Sequence, residues 1–98
     1  MNESDWKLFR TRLPIWREAY MTRVVQEYIG LLSSDGAASD KFCELEKRMR
    51  EDKERCGVVM RMSRSYMDLN IMHLLQEGVI ALTDLDGFSD EFREKMAF

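Results

Sequence analysis

The feature that most constrains this chain is an aromatic-rich stripe near its start. Trp6, Phe9, Leu13, Trp16 and Tyr20 are spaced 3, 4, 3 and 4 residues apart. That spacing gathers all five on one face of an α-helix, whereas a strand would scatter them over two faces. Val24, Tyr28 and Leu31 continue the stripe with a small drift. A helical segment from about Asp5 to Ser33 follows, and the rest of the chain has to cover its apolar face. Pro14 interrupts the segment. Proline lacks a backbone donor and disfavours helical angles at the preceding Leu13. A kink or fresh start is therefore predicted at Pro14, with two nearly continuous pieces because the stripe stays in phase across it.

The run Ser33-Ser34-Asp35-Gly36-Ala37-Ala38-Ser39 has the composition of a loop. Ser39 is the expected N-cap of a second helix from Asp40 to about Arg55, with Asp40 favourably placed against the helix dipole. Its stripe of Phe42, Leu45 and Met49 fades towards Glu51–Arg55, which is polar all round and expected to project into water. Tyr66, Met67, Leu69, Ile71, Met72, Leu74 and Leu75 demand a third helix, and their pattern extends back to Val59. One helix from about Val58 to Gln76, stopped at Gly78, is predicted. A competing reading pairs 58–62 with 79–82 as a two-stranded patch, since Met60 and Met62 alternate with Arg61 and Ser63. Thr83-Asp84-Leu85-Asp86 reads as a capped turn with Asp86 three residues after Thr83. Ser89 caps a short last helix that turns Phe92 and Met96 inward. With one proline and five glycines there is little punctuation for an all-β fold. The expected architecture is all-α, one domain over residues 1–98, with three main helices and a short C-terminal helix in a compact bundle.

Charge is unevenly distributed within the net −3 of the chain. Residues 1–38 balance, residues 39–64 carry +2 and residues 65–98 carry −5. The acidic end discourages broad electrostatic binding to nucleic acid. The acidic Met1-Asn2-Glu3-Ser4-Asp5 start has no apolar run behind it, so no secretory signal and a cytoplasmic location are expected. Apolar runs such as Val79–Leu82 fall far short of the ~20 residues that a membrane span requires.

Chemistry-bearing constellations are sparse. Asp84-Leu85-Asp86-Gly87 resembles part of a calcium loop, but placing Gly87 sixth puts Leu82 first and Arg93 twelfth, where acidic ligands are needed. His73 lies four residues before Glu77, yet Cys43 and Cys56 show no ligand-like spacing with it. No metal site and no cofactor are expected. A thiol enzyme pairing Cys43 or Cys56 with His73 needs only that folding unite them. Phosphate loops, nucleophile elbows and paired catalytic carboxylates are missing. Lys41, Glu44, Arg48, Glu51 and Arg55 form an alternating line at helical spacing, the mark of a solvated face.

Two features carry more information. Lys7, Arg10, Arg12 and Arg17 occur among Trp6, Phe9 and Trp16 with no acid between residues 6 and 17. Bases interleaved with aromatics can bind nucleic acid or an anionic surface, although these aromatics also follow a core stripe. The second is the group Met60, Met62, Met67 and Met72 beside Arg61 and Arg64. Methionine fills irregular cores and also lines adaptable binding surfaces.

The stretches Lys41-Phe42-Cys43-Glu44-Leu45-Glu46-Lys47-Arg48, Met62-Ser63-Arg64-Ser65, and Glu77-Gly78-Val79-Ile80 through Asp84-Leu85-Asp86-Gly87-Phe88-Ser89 resemble a group of short uncharacterised helical proteins from gut anaerobic bacteria. Some of these are labelled as transporters, a label at odds with the short apolar runs here. The resemblance implies no established activity. It also implies an aromatic near Cys43 and a proline near Cys56 in relatives, so that neither thiol is a family functional residue.

The expected function is a non-enzymatic protein–protein interaction module, a small regulator or inhibitor of a larger bacterial assembly. Its size and the resemblance fit a phage or mobile-element origin. Met60, Arg61, Arg64 and Met67 are the expected partner contacts, with a homodimer ranked ahead of a monomer. A nucleic-acid accessory factor using Lys7, Arg10, Arg12 and Arg17 ranks second, and the thiol enzyme third.

Overall fold

One helix, α1, is the spine of the molecule. In the computed structural model, which describes residues 2–55 and 60–97, α1 spans Glu3–Ser33. Thirty-one residues at 1.5 Å each give about 46 Å, nearly the full 52 Å length of the molecule. The Asn2 side chain caps its start by accepting from the Ser4 backbone N–H at 2.8 Å. Pro14 lies inside this helix without ending it, which corrects the predicted restart. Phe9, Leu13, Trp16, Tyr20 and Val24 are buried on both sides of the proline. Packing along one stripe therefore holds the helix in phase, while the Pro14 ring sits on the exposed side.

Ser34 to Ala37 turn the chain back, with Gly36 at φ 138°. The second helix, α2, spans Ala38–Asp52 and runs beside the distal half of α1. It starts earlier than predicted, and its N-cap is Ala37, which offers no side-chain bond, instead of Ser39. No residue of α2 is buried.

The expected helix from Val58 is shorter than predicted. Residues 58 and 59 lie outside the described residues, residues 60–66 are irregular or turning, and α3 spans only Met67–Gln76. Side chains satisfy the backbone in place of helical bonds here. Arg17 donates to the Met60 carbonyl at 3.4 Å and Asn70 Nδ2 to the Arg61 carbonyl at 3.2 Å. No strand occurs among the described residues, so the part of the two-stranded patch that falls on them is not formed.

The end of α3 follows its sequence signal. Gly78 adopts φ 73°, its N–H reaches the Leu75 carbonyl and the Val79 N–H reaches Leu74. This is the Schellman closure that a left-handed glycine permits. A 3-10 turn at Leu82–Leu85 follows, capped by Asp84, not Asp86, whose Oδ2 accepts from the Ala81 N–H at 2.8 Å. The last helix, α4, spans Asp90–Ala97, and Ser89 Oγ accepts from the Phe92 N–H as predicted.

Among the described residues, then, the fold is all-α, with three helices and a short fourth. Its core lies at one end. Phe9, Leu13 and Trp16 of α1 meet Met67, Ile71 and Leu74 of α3, Leu85 of the 3-10 turn, and Phe88, Phe92 and Met96 at α4. Trp16 stacks on Phe88 and Phe88 on Phe92. This head leaves the distal half of α1 and all of α2 standing out as a two-helix hairpin.

Candidate interaction surface

The hairpin is zipped along one seam. Val24 is buried, and Tyr28, Leu31, Lys41, Leu45, Arg48 and Asp52 are half-buried. These positions recur every three or four residues, so they form one row on each helix. A right-handed helix advances about 100° per residue. In two antiparallel helices, the residue that follows a seam position therefore lands on the same side of the hairpin in both.

Five of the seven following positions are apolar. Val25, Ile29 and Leu32 follow Val24, Tyr28 and Leu31; Phe42 and Met49 follow Lys41 and Arg48, while Glu46 and Lys53 follow Leu45 and Asp52. The five apolar residues are exposed, from 42% for Met49 to 73% for Phe42. They give one side of the hairpin an apolar row on α1 and a mixed row on α2, with Glu46 between Phe42 and Met49. The sequence displayed the signal as a stripe doubled in width over 24–32, but a wheel alone does not show which half is covered. Phe42 and Met49 had been grouped with Leu45 as one stripe, and only Leu45 enters the seam.

The opposite side is charged and closed on itself. A cleft of about 340 Å³ there is lined by Tyr20, Arg23, Glu27, Arg48, Asp52 and Arg55, among others. Arg48 pairs with Glu27 at 2.9 Å, and Arg55 reaches Asp52 at 3.4 Å and Glu77 at 3.9 Å. Arg23 donates to the Gly78 carbonyl at 2.8 Å and lies over the Tyr20 ring. The Tyr28 hydroxyl donates to Asp52. Burial, with the Asp52 hydrogen bond and charge behind it, pushes the Tyr28 phenol up to about 12. Burial also raises Tyr20. These groups join the hairpin to the head, and each arginine among the described residues of the cleft has a partner.

A second cleft, of about 400 Å³, separates the start of α1 from α4. Its buried Asp5 accepts from the Ser89 N–H at 2.8 Å and from Ser89 Oγ at 2.7 Å. That carboxylate ties α1 to the α4 cap. A third, of about 370 Å³, lies among Leu13, Pro14, Arg17, Met21, Met60 and Met62.

The residues proposed from sequence are dispersed. Met67 has no exposed area and belongs to the core, so it is corrected as a partner contact. Met60 packs partly against that core. Arg61 is exposed, and Arg64 pairs with Glu3. What α3 does expose is Tyr66 at its cap, Leu69 and Met72. Of the basic group, Lys7 and Arg10 face solvent, with Arg10 over the Trp6 ring. Arg12 instead donates to the Asp84 carbonyl at 2.9 Å and lies over Phe88, and Arg17 holds Met60. Gly87, at φ 94°, leaves the space Arg12 crosses, because a Cβ there would come within 2.9 Å of its Nη2. Cys43 is exposed on α2 and His73 exposed on α3; neither lines the clefts above, and Cys56 lies outside the described residues. Asp84 of the calcium-like run spends its carboxylate on the Ala81 N–H, and no cluster of three metal-ligating side chains occurs among the described residues. No helix of the described residues is long and apolar enough to cross a membrane.

No protein-family model, curated protein or solved structure matches this chain.

Proposed function

We propose that this chain is a non-enzymatic protein–protein interaction module of the small-regulator kind, and that its docking element is the apolar side of the α1–α2 hairpin. One observation carries the reading: Val25, Ile29, Leu32, Phe42 and Met49 are exposed together on that side. Single exposed apolar residues are ordinary, but five of them gathered on one side of a two-helix hairpin are the kind of surface a partner covers. The energetics of α2 point the same way. A lone 15-residue helix is marginal in water, and this one buries no residue of its own. A partner on its apolar side supplies the burial that the hairpin seam does not.

The test is site-specific photo-crosslinking in cells that produce the chain. A crosslinking side chain at position 29 is expected to give protein adducts. The same group at position 44, one residue before the seam position Leu45 and so on the charged side, is expected to give none. Absence of adducts from position 29, or equal yields from both positions, overturns the reading.

A further inference from the structure

We infer that the occupant of this apolar side is a second copy of the chain, joined face to face so that two hairpins form a four-helix layer; this rests on the interaction reading above. The first reason is shape. The patch is a double row across two antiparallel helices, Val25, Ile29 and Leu32 on one and Phe42 and Met49, with Glu46 between them, on the other. A single partner helix would cover one groove between the rows. An identical double row covers both, and a two-fold axis in the plane of contact makes the surface complementary to itself.

The second reason is area. The five side chains present on the order of 500 Å², against the ~800 Å² per partner of a standard stable interface. Glu46 and Lys53, exposed in the same row after Leu45 and Asp52, enlarge the face that two copies would share. The third is charge. Glu46 pairs with Arg50 within α2, and Lys53 in the same row carries the sign opposite to Glu46. A face of mixed sign lets like copies approach without a repelling field. It offers nothing to an anionic lipid surface or a nucleic acid, which select clustered bases.

The experiment measures the mass of the purified chain by light scattering or sedimentation across a roughly hundredfold concentration range, because association by mass action must move with concentration. Mass is expected to rise from 11.6 kDa towards twice that value. Ile29→Arg and Phe42→Glu, checked for helix content by circular dichroism, are expected to weaken the dimer at least ~tenfold. Leu69→Glu, on the exposed side of α3, is expected to leave it unchanged. In the unsubstituted chain, peroxide oxidation of Met49 should slow as concentration rises. A constant monomer mass overturns the inference, as does a dimer lost with Leu69→Glu and kept with Ile29→Arg. A monomer in solution whose position 29 still crosslinks to other proteins in cells sinks the dimer alone. No adduct from position 29 in cells sinks the interaction reading itself.

Discussion

The two halves of α1 are one continuous helix placed in two different environments. Before Tyr20 it is walled by α3, the 3-10 turn and α4, and Phe9 and Leu13 lose essentially all contact with solvent. After Tyr20 it meets α2 only along a seam, where Val24 alone is buried. The same stripe of apolar residues thus ends in a closed core at one end and in an open double row at the other. The head has the burial to hold itself together, and the hairpin holds by polar clasps, Tyr28 to Asp52 and Arg48 to Glu27. Stability belongs to the first region, and the proposed binding to the second.

The largest effect expected is in the head. Phe9→Ala removes a fully enclosed ring that touches Trp6 and Trp16, and urea unfolding should show a loss of about 3–5 kcal/mol. A loss below ~1 kcal/mol would mean that the head relaxes around the gap and that its contrast with the hairpin is overstated. Asp5→Ala comes next. It leaves the Ser89 N–H and hydroxyl without their acceptor, at a cost of about 1–3 kcal/mol. Helix content lost in this variant should map to α4 by hydrogen exchange.

The hairpin clasp is weaker. Tyr28→Phe deletes the bond to Asp52 and should cost about 1 kcal/mol, seen as faster amide exchange confined to α2 and the distal half of α1. The same clasp has a pH signature. Tyr28 titrates near 10 when unfolded and at about 12 in the fold, so folding favours its neutral form. Its contribution is complete below pH 10 and is lost as pH rises towards 12. Phenolate absorbance should therefore show a late ionisation that Tyr28→Phe removes, and α2 exchange should accelerate over that window while the head stays protected. Coincident loss of head and hairpin would show that the two regions unfold as one unit.

The smallest effect on monomer stability is expected from Ile29→Arg, within ~0.5 kcal/mol, since its side chain is already half in water. Its consequence falls on association instead. A variant that unfolds the hairpin would show that Ile29 is structural and would remove it from the binding surface.

Much of this was legible before folding. The 3–4 spacing from Trp6 to Tyr20 specified the core face of α1, Gly78 the end of α3, and Ser89 the cap of α4, because each signal acts over one or two turns of chain. The restart at Pro14 and the helix over 60–66 were misread for one reason: local propensity was weighed without the long-range partners that override it. The head packs along α1 on both sides of the proline, so the helix continues through it, and Arg17 and Asn70 bond the Met60 and Arg61 carbonyls where helical bonds are missing. Spacing alone leaves Met67 open to either a core or a contact role, and its packing with Ile71 and Leu74 puts it in the core.

The sequence by itself determined an all-helical chain whose first segment carries the apolar face. Its helical periodicity and sparse glycine and proline favour helix throughout, with only the two-stranded reading of 58–62 and 79–82 left beside it. Only the tertiary structure decided which part of the apolar surface is spent. Helix faces are defined by residue spacing, which a sequence states, but burial depends on which helices arrive to cover them. Here α3 and α4 cover one half of α1, and α2 covers only a seam of the other. The positions just beyond that seam, Val25, Ile29, Leu32, Phe42 and Met49, are left facing water.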